Sequence, residues 1–227
     1  MKLWEKIKKY LFPPKCVFCR KVLEKDGICE KCRKEISYRK NAEIKKPARF
    51  IDGAYAELSY EGDVRNAIIR YKFAGLSKYS VDFSEFISKC INENLKGKYD
   101  IISWIPLSRK RKKSRGYDQA YLLTKETCKR LDDKPMKTLI KSRNAAPQSR
   151  QKDPSKRVAN VLGAYDLAEV DVTGKRIILI DDVYTTGSTA SECARVLKTA
   201  GAEKVYVVTI AYTKSRKKEL KNQKNRL

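Results

Sequence analysis

Histidine is absent from all 227 residues. That gap excludes Ser–His–Asp triads, imidazole metal ligands and histidine general bases together. No apolar run approaches the ~20 residues that a membrane-spanning helix needs, and residues 1–11 lack the apolar centre of a signal peptide. A soluble, cytoplasmic protein is therefore expected. Acidic residues are scarce as well: 27 Asp and Glu face 52 Lys and Arg, for a net charge of +25. Residues 1–50 carry a net +10, residues 105–160 carry +12 and residues 213–227 carry +6, while the remainder sums to −3. Basic segments beside a near-neutral core are the expected footprint of a polyanion, either nucleic acid or a phosphate-rich ligand. With 41% hydrophobic residues, the chain can build one α/β domain with a real core and a small appendage.

Seven cysteines are present, unevenly spread. Cys16-Val-Phe-Cys19 and Cys29-Glu-Lys-Cys32 are two C-x-x-C knuckles. Each knuckle can present two thiolates from one tight turn, and two knuckles close a tetrahedron around Zn²⁺. About fifty residues cannot bury a sufficient core alone, so the metal is expected to supply much of the folding free energy there. A closed Cys₄ set leaves no open position, which makes the ion structural. Cys90, Cys128 and Cys193 fall within helical patterns and read as small buried hydrophobes.

Residues 176–202 carry the densest chemical signal. Ile177-Ile178-Leu179-Ile180 is an aliphatic run expected of a parallel strand buried on both faces. Asp181 and Asp182 stand at its C-terminal end. Thr185-Thr186-Gly187-Ser188-Thr189 follows, and then a helical pattern with Ala190, Cys193, Ala194, Leu197 and Ala200 on one side. Free amides at the helix start and the ring of hydroxyls can cradle a phosphate monoester. Gly187 permits the tight turn. The two acids can bind a ribose diol or reach Mg²⁺. This run resembles the phosphoribosyl-pyrophosphate (PRPP) signature of type I phosphoribosyltransferases, with Tyr184 where an aliphatic residue is commoner.

Residues 36–50, rich in Lys and Arg, read as a linker. Strands are expected at 53–60, 100–105, 137–140, 163–167 and 205–211, and helices over 63–73, 83–95 and through Tyr121 to Leu131. The stretch Arg109-Lys110-Arg111-Lys112-Lys113-Ser114-Arg115 directly follows the strand ending at Ile105 and reads as a cationic loop. Placed on the same sheet edge as the Asp181–Thr189 turn, it would hold a pyrophosphate through Ser108 and Arg109, with Arg143 added from the later segment. Residues 142–160 have no apolar periodicity and read as a functional lid or a disordered insertion. The tail 214–227 reads as a charged helix or arm.

Taken in order, four further blocks give the whole chain a likeness. They are the paired C-x-x-C; Tyr60-Glu61-Gly62…Ile69…Lys72-Phe73-Ala74-Gly75; Ile105-Pro106-Leu107-Ser108…Arg115-Gly116-Tyr117-Asp118-Gln119-Ala120; and Arg143…Gln148…Arg157…Asn160-Val161…Gly163-Ala164-Tyr165. With the DDVYTTGST turn they resemble the ComF competence family. The resemblance implies a Cys₄ zinc-ribbon module and linker over 1–50, a type I phosphoribosyltransferase-like parallel sheet flanked by helices over 51–213, and a basic tail over 214–227. It also implies a role in DNA uptake during natural transformation, handling single-stranded DNA beside a helicase-like partner. Arg109, Arg111, Lys112, Lys113, Arg115, Arg150 and Arg157 are the expected DNA contacts, with Trp104, Tyr117 and Tyr121 near enough to stack on bases.

Asp118 departs from the family's usual Asn, and a carboxylate there would repel a pyrophosphate unless Mg²⁺ or an arginine intervened. Three readings compete. One is a PRPP- or nucleotide-phosphate-binding module used in DNA uptake. Another is a working phosphoribosyltransferase, in which Asp181 and Asp182 act on Mg·PRPP at an oxocarbenium-like transition state. The third is a purely structural zinc-ribbon adaptor, against which the intact phosphate turn argues.

Overall fold

The two cysteine knuckles set the start of the described chain; the computed structural model describes residues 13–141 and 163–213. The knuckles are closed by short backbone bridges, Lys15 to Val22 and Cys16 to Gly27. Helix α1 (Glu30–Glu35) follows, capped by the Cys29 sulfur, which accepts from the Cys32 amide at 3.4 Å. Strand β1 (Gly53–Ser59), helices α2 (Gly62–Phe73) and α3 (Tyr79–Asn94), strand β2 (Ile101–Trp104), helices α4 (Arg109–Arg115) and α5 (Gln119–Leu131) and strand β3 (Leu139–Lys141) come next. The second described stretch holds β4 (Tyr165–Leu167), β5 (Arg176–Tyr184), α6 (Ser188–Thr199) and β6 (Lys204–Tyr212).

Strands β1–β6–β5–β2 form one sheet, in that order and all parallel. Ile177, Ile178, Leu179 and Ile180 are fully buried, as a strand covered on both faces requires. Their alternation splits the core in two. Ile178 and Ile180 join Ile68 and Tyr71 of α2, Phe83 and Ile87 of α3, and Leu123 of α5. Ile177 and Leu179 join Ala190, Cys193, Ala194 and Leu197 of α6. Each such aliphatic side chain contributes roughly 1.5–3 kcal/mol when fully buried. Cys90, Cys128 and Cys193 are buried as expected.

The N-terminal module shares the first of these cores. Phe18 packs edge-on against Phe83 and Phe86, with ring centroids 6.1 and 6.0 Å apart. Arg70 of α2 donates to the carbonyls of Val17 and Phe18 at 2.8 and 2.7 Å.

Three local expectations are corrected. The connecting segment 36–50 is not free of the domain: the Ile44 amide donates to the Ala54 carbonyl at 2.7 Å and the Ala56 amide to the Ala42 carbonyl at 2.8 Å. It runs antiparallel to β1 and covers an edge whose backbone groups would otherwise lie unpaired. The cationic stretch 109–115 is a helix, not a loop. Arg and Lys are good helix formers, the Ser108 hydroxyl caps its start and Gly116 at φ 81° closes it. Finally, β5 outruns β2. Its pairing with β2 ends at Ile180, whereas pairing with β6 continues to Tyr184, so both acids lie inside the strand.

Among the described residues, strands β3 and β4 pair with each other, antiparallel, in a separate two-stranded sheet. Among the described residues, no helix is long and apolar enough to cross a membrane.

Candidate functional site

The DDVYTTGST turn forms a cup at the C-terminal end of β5. Asp181, Tyr184, Thr185, Thr186, Gly187, Ser188, Thr189 and Thr209 are among the residues lining about 60 Å³ of space. One water needs roughly 10–15 Å³ on this measure, so a tetrahedral oxyanion fits. Gly187 precedes α6 at φ 75° and offers no side-chain cap; the Ser188 amide donates to the Thr186 hydroxyl at 3.3 Å, and among the described residues no side chain takes the amides of Thr189 and Ala190. Those amides and the hydroxyls of Thr186 and Ser188, 2.8 Å apart, are the donors that a phosphate would meet.

Tyr184, unusual at its position, has a structural task here. Its ring is buried and its hydroxyl accepts from the Ala48 amide at 2.9 Å, tying the connecting segment over the turn. A Cβ on residue 187 would collide with that hydroxyl and lie 2.6 Å from the tyrosine Cζ. Gly187→Ala should therefore destabilise by roughly 1–2 kcal/mol for the left-handed backbone and a further 1–3 kcal/mol for overpacking. Thermal denaturation checks this. An unchanged midpoint would mean that the turn relaxes freely.

Alternation along β5 sends the two acids to opposite faces. Asp182 meets Lys72 at the end of α2, with Nζ 2.7 Å from Oδ1. Asp181 faces the cup on the α6 side, and one of its oxygens accepts the Asp182 amide at 2.8 Å. Burial, and then the neighbouring Asp182 charge, push the Asp181 carboxyl up to about 7. Burial pulls the Lys72 ammonium down, but the Asp182 carboxylate outweighs it and holds the lysine above its ordinary value. Lys72 is the site residue that sequence reasoning missed; its only signal was the Lys-Phe-Ala-Gly block. Lys72→Gln strips Asp182 of its cation and should destabilise by roughly 1–3 kcal/mol in denaturant titration. An unchanged midpoint would mean that solvent replaces the pair.

On the other side of β2, Asp118 is anchored through both carboxylate oxygens. One carboxylate oxygen caps α5 by accepting the Tyr121 amide at 3.2 Å, and the other accepts the Leu107 amide at 3.3 Å. The side chain is buried and both of its oxygens accept from backbone donors. Ser108 likewise places its hydroxyl oxygen 3.3 Å from the Arg111 amide as the cap of α4.

Helix α4 buries none of its residues, and among the described residues none of its basic side chains pairs with a carboxylate. Arg109, Arg111, Lys112 and Lys113 are exposed. Arg115 is engaged: its guanidinium lies 4.8 Å over the Phe73 ring and donates to Gln119. Tyr117 is removed from the stacking set, because its hydroxyl donates to the Tyr71 carbonyl and its ring packs on Tyr71. Trp104 and Tyr121 remain, with centroids 5.0 Å apart. Arg143, Arg150 and Arg157 lie outside the described residues, as do the expected lid at 142–160 and the tail.

The Sγ atoms of Cys16, Cys19, Cys29 and Cys32 all lie within 4.8 Å of one another. The Cys19–Cys29 separation is 3.7 Å. Zn–S bonds of about 2.3 Å in a tetrahedron put sulfurs ~3.8 Å apart, so the donor set fits the ion. The Cys29 amide also donates to Cys16 Sγ at 3.4 Å, which favours thiolate.

Two described families match this chain, one in each part. Residues 7–43 match the family described as Double zinc ribbon domain, and residues 118–227 match Phosphoribosyl transferase domain. Competence protein ComFC of Bacillus subtilis (strain 168) is 33% identical over 147 residues, covering 63% of this chain and 57% of that protein. The chain is thus similar to competence proteins of the ComF kind. Competence protein F of Haemophilus influenzae is 32% identical over 109 residues, 47% of this chain and 48% of that one. DNA utilization protein YhgH of Escherichia coli (strain K12) is 31% identical over 114 residues, half of each chain. The matches thus cover only about half to two thirds of these ComF-family relatives. Among solved structures, a hypoxanthine phosphoribosyltransferase from Staphylococcus aureus aligns at a TM-score of 0.38 and 12% identity, over 61% of this chain and 68% of that one.

Proposed function

We propose that this ComF-like chain binds PRPP or a nucleotide phosphate at the Thr185–Thr189 turn and handles single-stranded DNA in the cytoplasm during natural transformation, beside a helicase-like partner. The observation that carries the reading is the juxtaposition at one sheet edge. A phosphate-sized cup lies at the end of β5 beside two acids within that strand, and a helix whose cations pair with no carboxylate among the described residues follows β2. Asp181 and Asp182 would hold the ribose hydroxyls. Mg²⁺ would arrive with the pyrophosphate, its oxygen preference suiting Asp181, while Lys72 already neutralises Asp182. Calorimetry with Mg·PRPP, and separately with a single-stranded oligonucleotide, tests the two halves. Heat from neither would overturn the reading.

The DNA half makes its own prediction. Replacing Arg109, Arg111 and Lys113 by Gln should weaken binding similarly for all sequences and lower the slope of log affinity against log salt by roughly 0.7 for each phosphate left without its cation. A triple variant that keeps both affinity and slope would show that α4 does not touch the strand.

A second reading, a working phosphoribosyltransferase, is supported by the two acids that adjoin the cup. There the anomeric carbon would bond to an acceptor nitrogen as pyrophosphate leaves. Asp181 and Asp182 would stabilise the positive charge that develops.

A further inference from the structure

A cleft of about 730 Å³ opens between the end of β2, helices α4 and α5, and the β3–β4 ribbon. That lies in the size range of ligand clefts, ~300–1,000 Å³. Trp104, the last residue of β2, lies against Tyr121 on the first turn of α5, and both rings line the cleft. Leu139 and Ile140 of β3 line it as well, and Ile140 is 38% exposed although apolar. The cations come from separate elements: Arg109 and Lys112 from α4, Lys137 from the segment before β3, and Lys141 from β3. Lys141 is occupied, with Nζ 2.7 Å from the Tyr165 hydroxyl and 4.3 Å over its ring. Two acids also line the space. Asp118 is spent on backbone amides, which leaves Asp166 against Arg109, Lys112 and Lys137.

We propose that this cleft seats an unpaired base of a DNA single strand, the base stacking on Trp104 and Tyr121 while Arg109, Lys112 and Lys137 pair with the flanking phosphates. An aromatic pair accepts the face of any base, and a duplex offers no such face because its bases are already stacked. Cations on two elements offer charge on more than one side of the aromatic pair, as the phosphates on either side of an internal nucleotide require. The proposal rests on the DNA half of the reading above, not on the phosphate cup.

Trp104 is one of two tryptophans, so Trp4→Phe makes its emission the sole indole signal of the full chain. Titration with a short oligothymidylate should quench that emission. Tyr121→Ser, at a residue 36% exposed, should weaken binding roughly fivefold to a hundredfold, the range of one lost base stack, without altering the salt slope, in a variant whose melting temperature shows that it remains folded. Lys112→Gln with Lys137→Gln should instead lower the salt slope by about 0.7 for each phosphate that loses its lysine.

If the strand binds by anisotropy but Trp104 emission is unmoved, the cleft is not its site and the proposal falls while the DNA reading stands. If thymidine monophosphate quenches at the same concentration as the oligonucleotide, the cleft is a free-nucleotide pocket and the proposal falls. Calorimetry of the same protein with Mg·PRPP reads the phosphate turn separately, so failure at one site is not mistaken for failure at the other.

Discussion

Stripping the metal from the four-cysteine cluster, or replacing Cys29 by Ser, is expected to unfold the knuckles and to uncover the faces of α2 and α3 beneath them. Among its described residues the module buries few apolar side chains, chiefly Val17, Phe18 and Ile28, and the regular structure there is one short helix with isolated bridges. That is too little to hold it without the ion. Structural zinc contributes roughly 10–16 kcal/mol of apparent binding free energy in small zinc modules near neutral pH, and here that binding is folding free energy. Loss of the module also takes Phe18 away from Phe83 and Phe86 and leaves Arg70 without its two carbonyl acceptors. Metal analysis should find one zinc per chain, and chelation should lower the melting temperature and raise the binding of a hydrophobic dye. Purified protein without stoichiometric zinc but with an unchanged melting temperature would refute the assignment.

The acid pair should show opposite effects on binding and on stability. Changing Asp181 and Asp182 together to Asn removes two charge-assisted acceptors worth roughly 1.5–3 kcal/mol each, so Mg·PRPP affinity should fall by about a hundredfold or more. Equal affinity would place the ligand elsewhere. Singly, the two changes should differ in sign for stability. Asp182→Asn orphans Lys72 and should destabilise. Asp181 is held protonated to higher pH in the fold than in the unfolded chain, by burial and by Asp182. Stability is therefore full below the ordinary carboxylate range and is lost as pH rises towards 7. Asparagine cannot ionise, so in metal-free buffer Asp181→Asn should gain on the parent between about pH 5 and pH 8, by at least ~1 kcal/mol, or roughly 2–4 °C in melting temperature. A gain that shrinks with rising pH would contradict the environment described for this carboxyl.

Much of this protein was legible residue by residue. Four consecutive aliphatics announced a strand buried on both faces. The spacing of Cys16, Cys19, Cys29 and Cys32 announced a clustered sulfur set, and Thr185-Thr186-Gly187-Ser188-Thr189 announced a hydroxyl-lined turn before a helix. Each rests on neighbours in the chain, where backbone periodicity and turn chemistry act over a few residues. The basic stretch 109–115 was legible as charge but not as shape, because its helix depends on the Ser108 and Gly116 caps.

Tertiary structure alone decided the partnerships between distant residues. Lys72 meets Asp182 because α2 lies over one face of a sheet whose alternation sends consecutive acids apart. Tyr184 replaces an aliphatic residue because the Ala48 amide, brought in along the covered β1 edge, needs an acceptor. Asp118 is fixed in place because the turn into α5 presents two amides to it. Trp104, Tyr121 and Lys137 line one cleft only once β2, α5 and the β3 ribbon have packed. Sequence by itself determined the chemistry of each short segment, since that chemistry is set by covalent neighbours. The fold determined which segments face one another, since that depends on burying two apolar faces of one sheet at once.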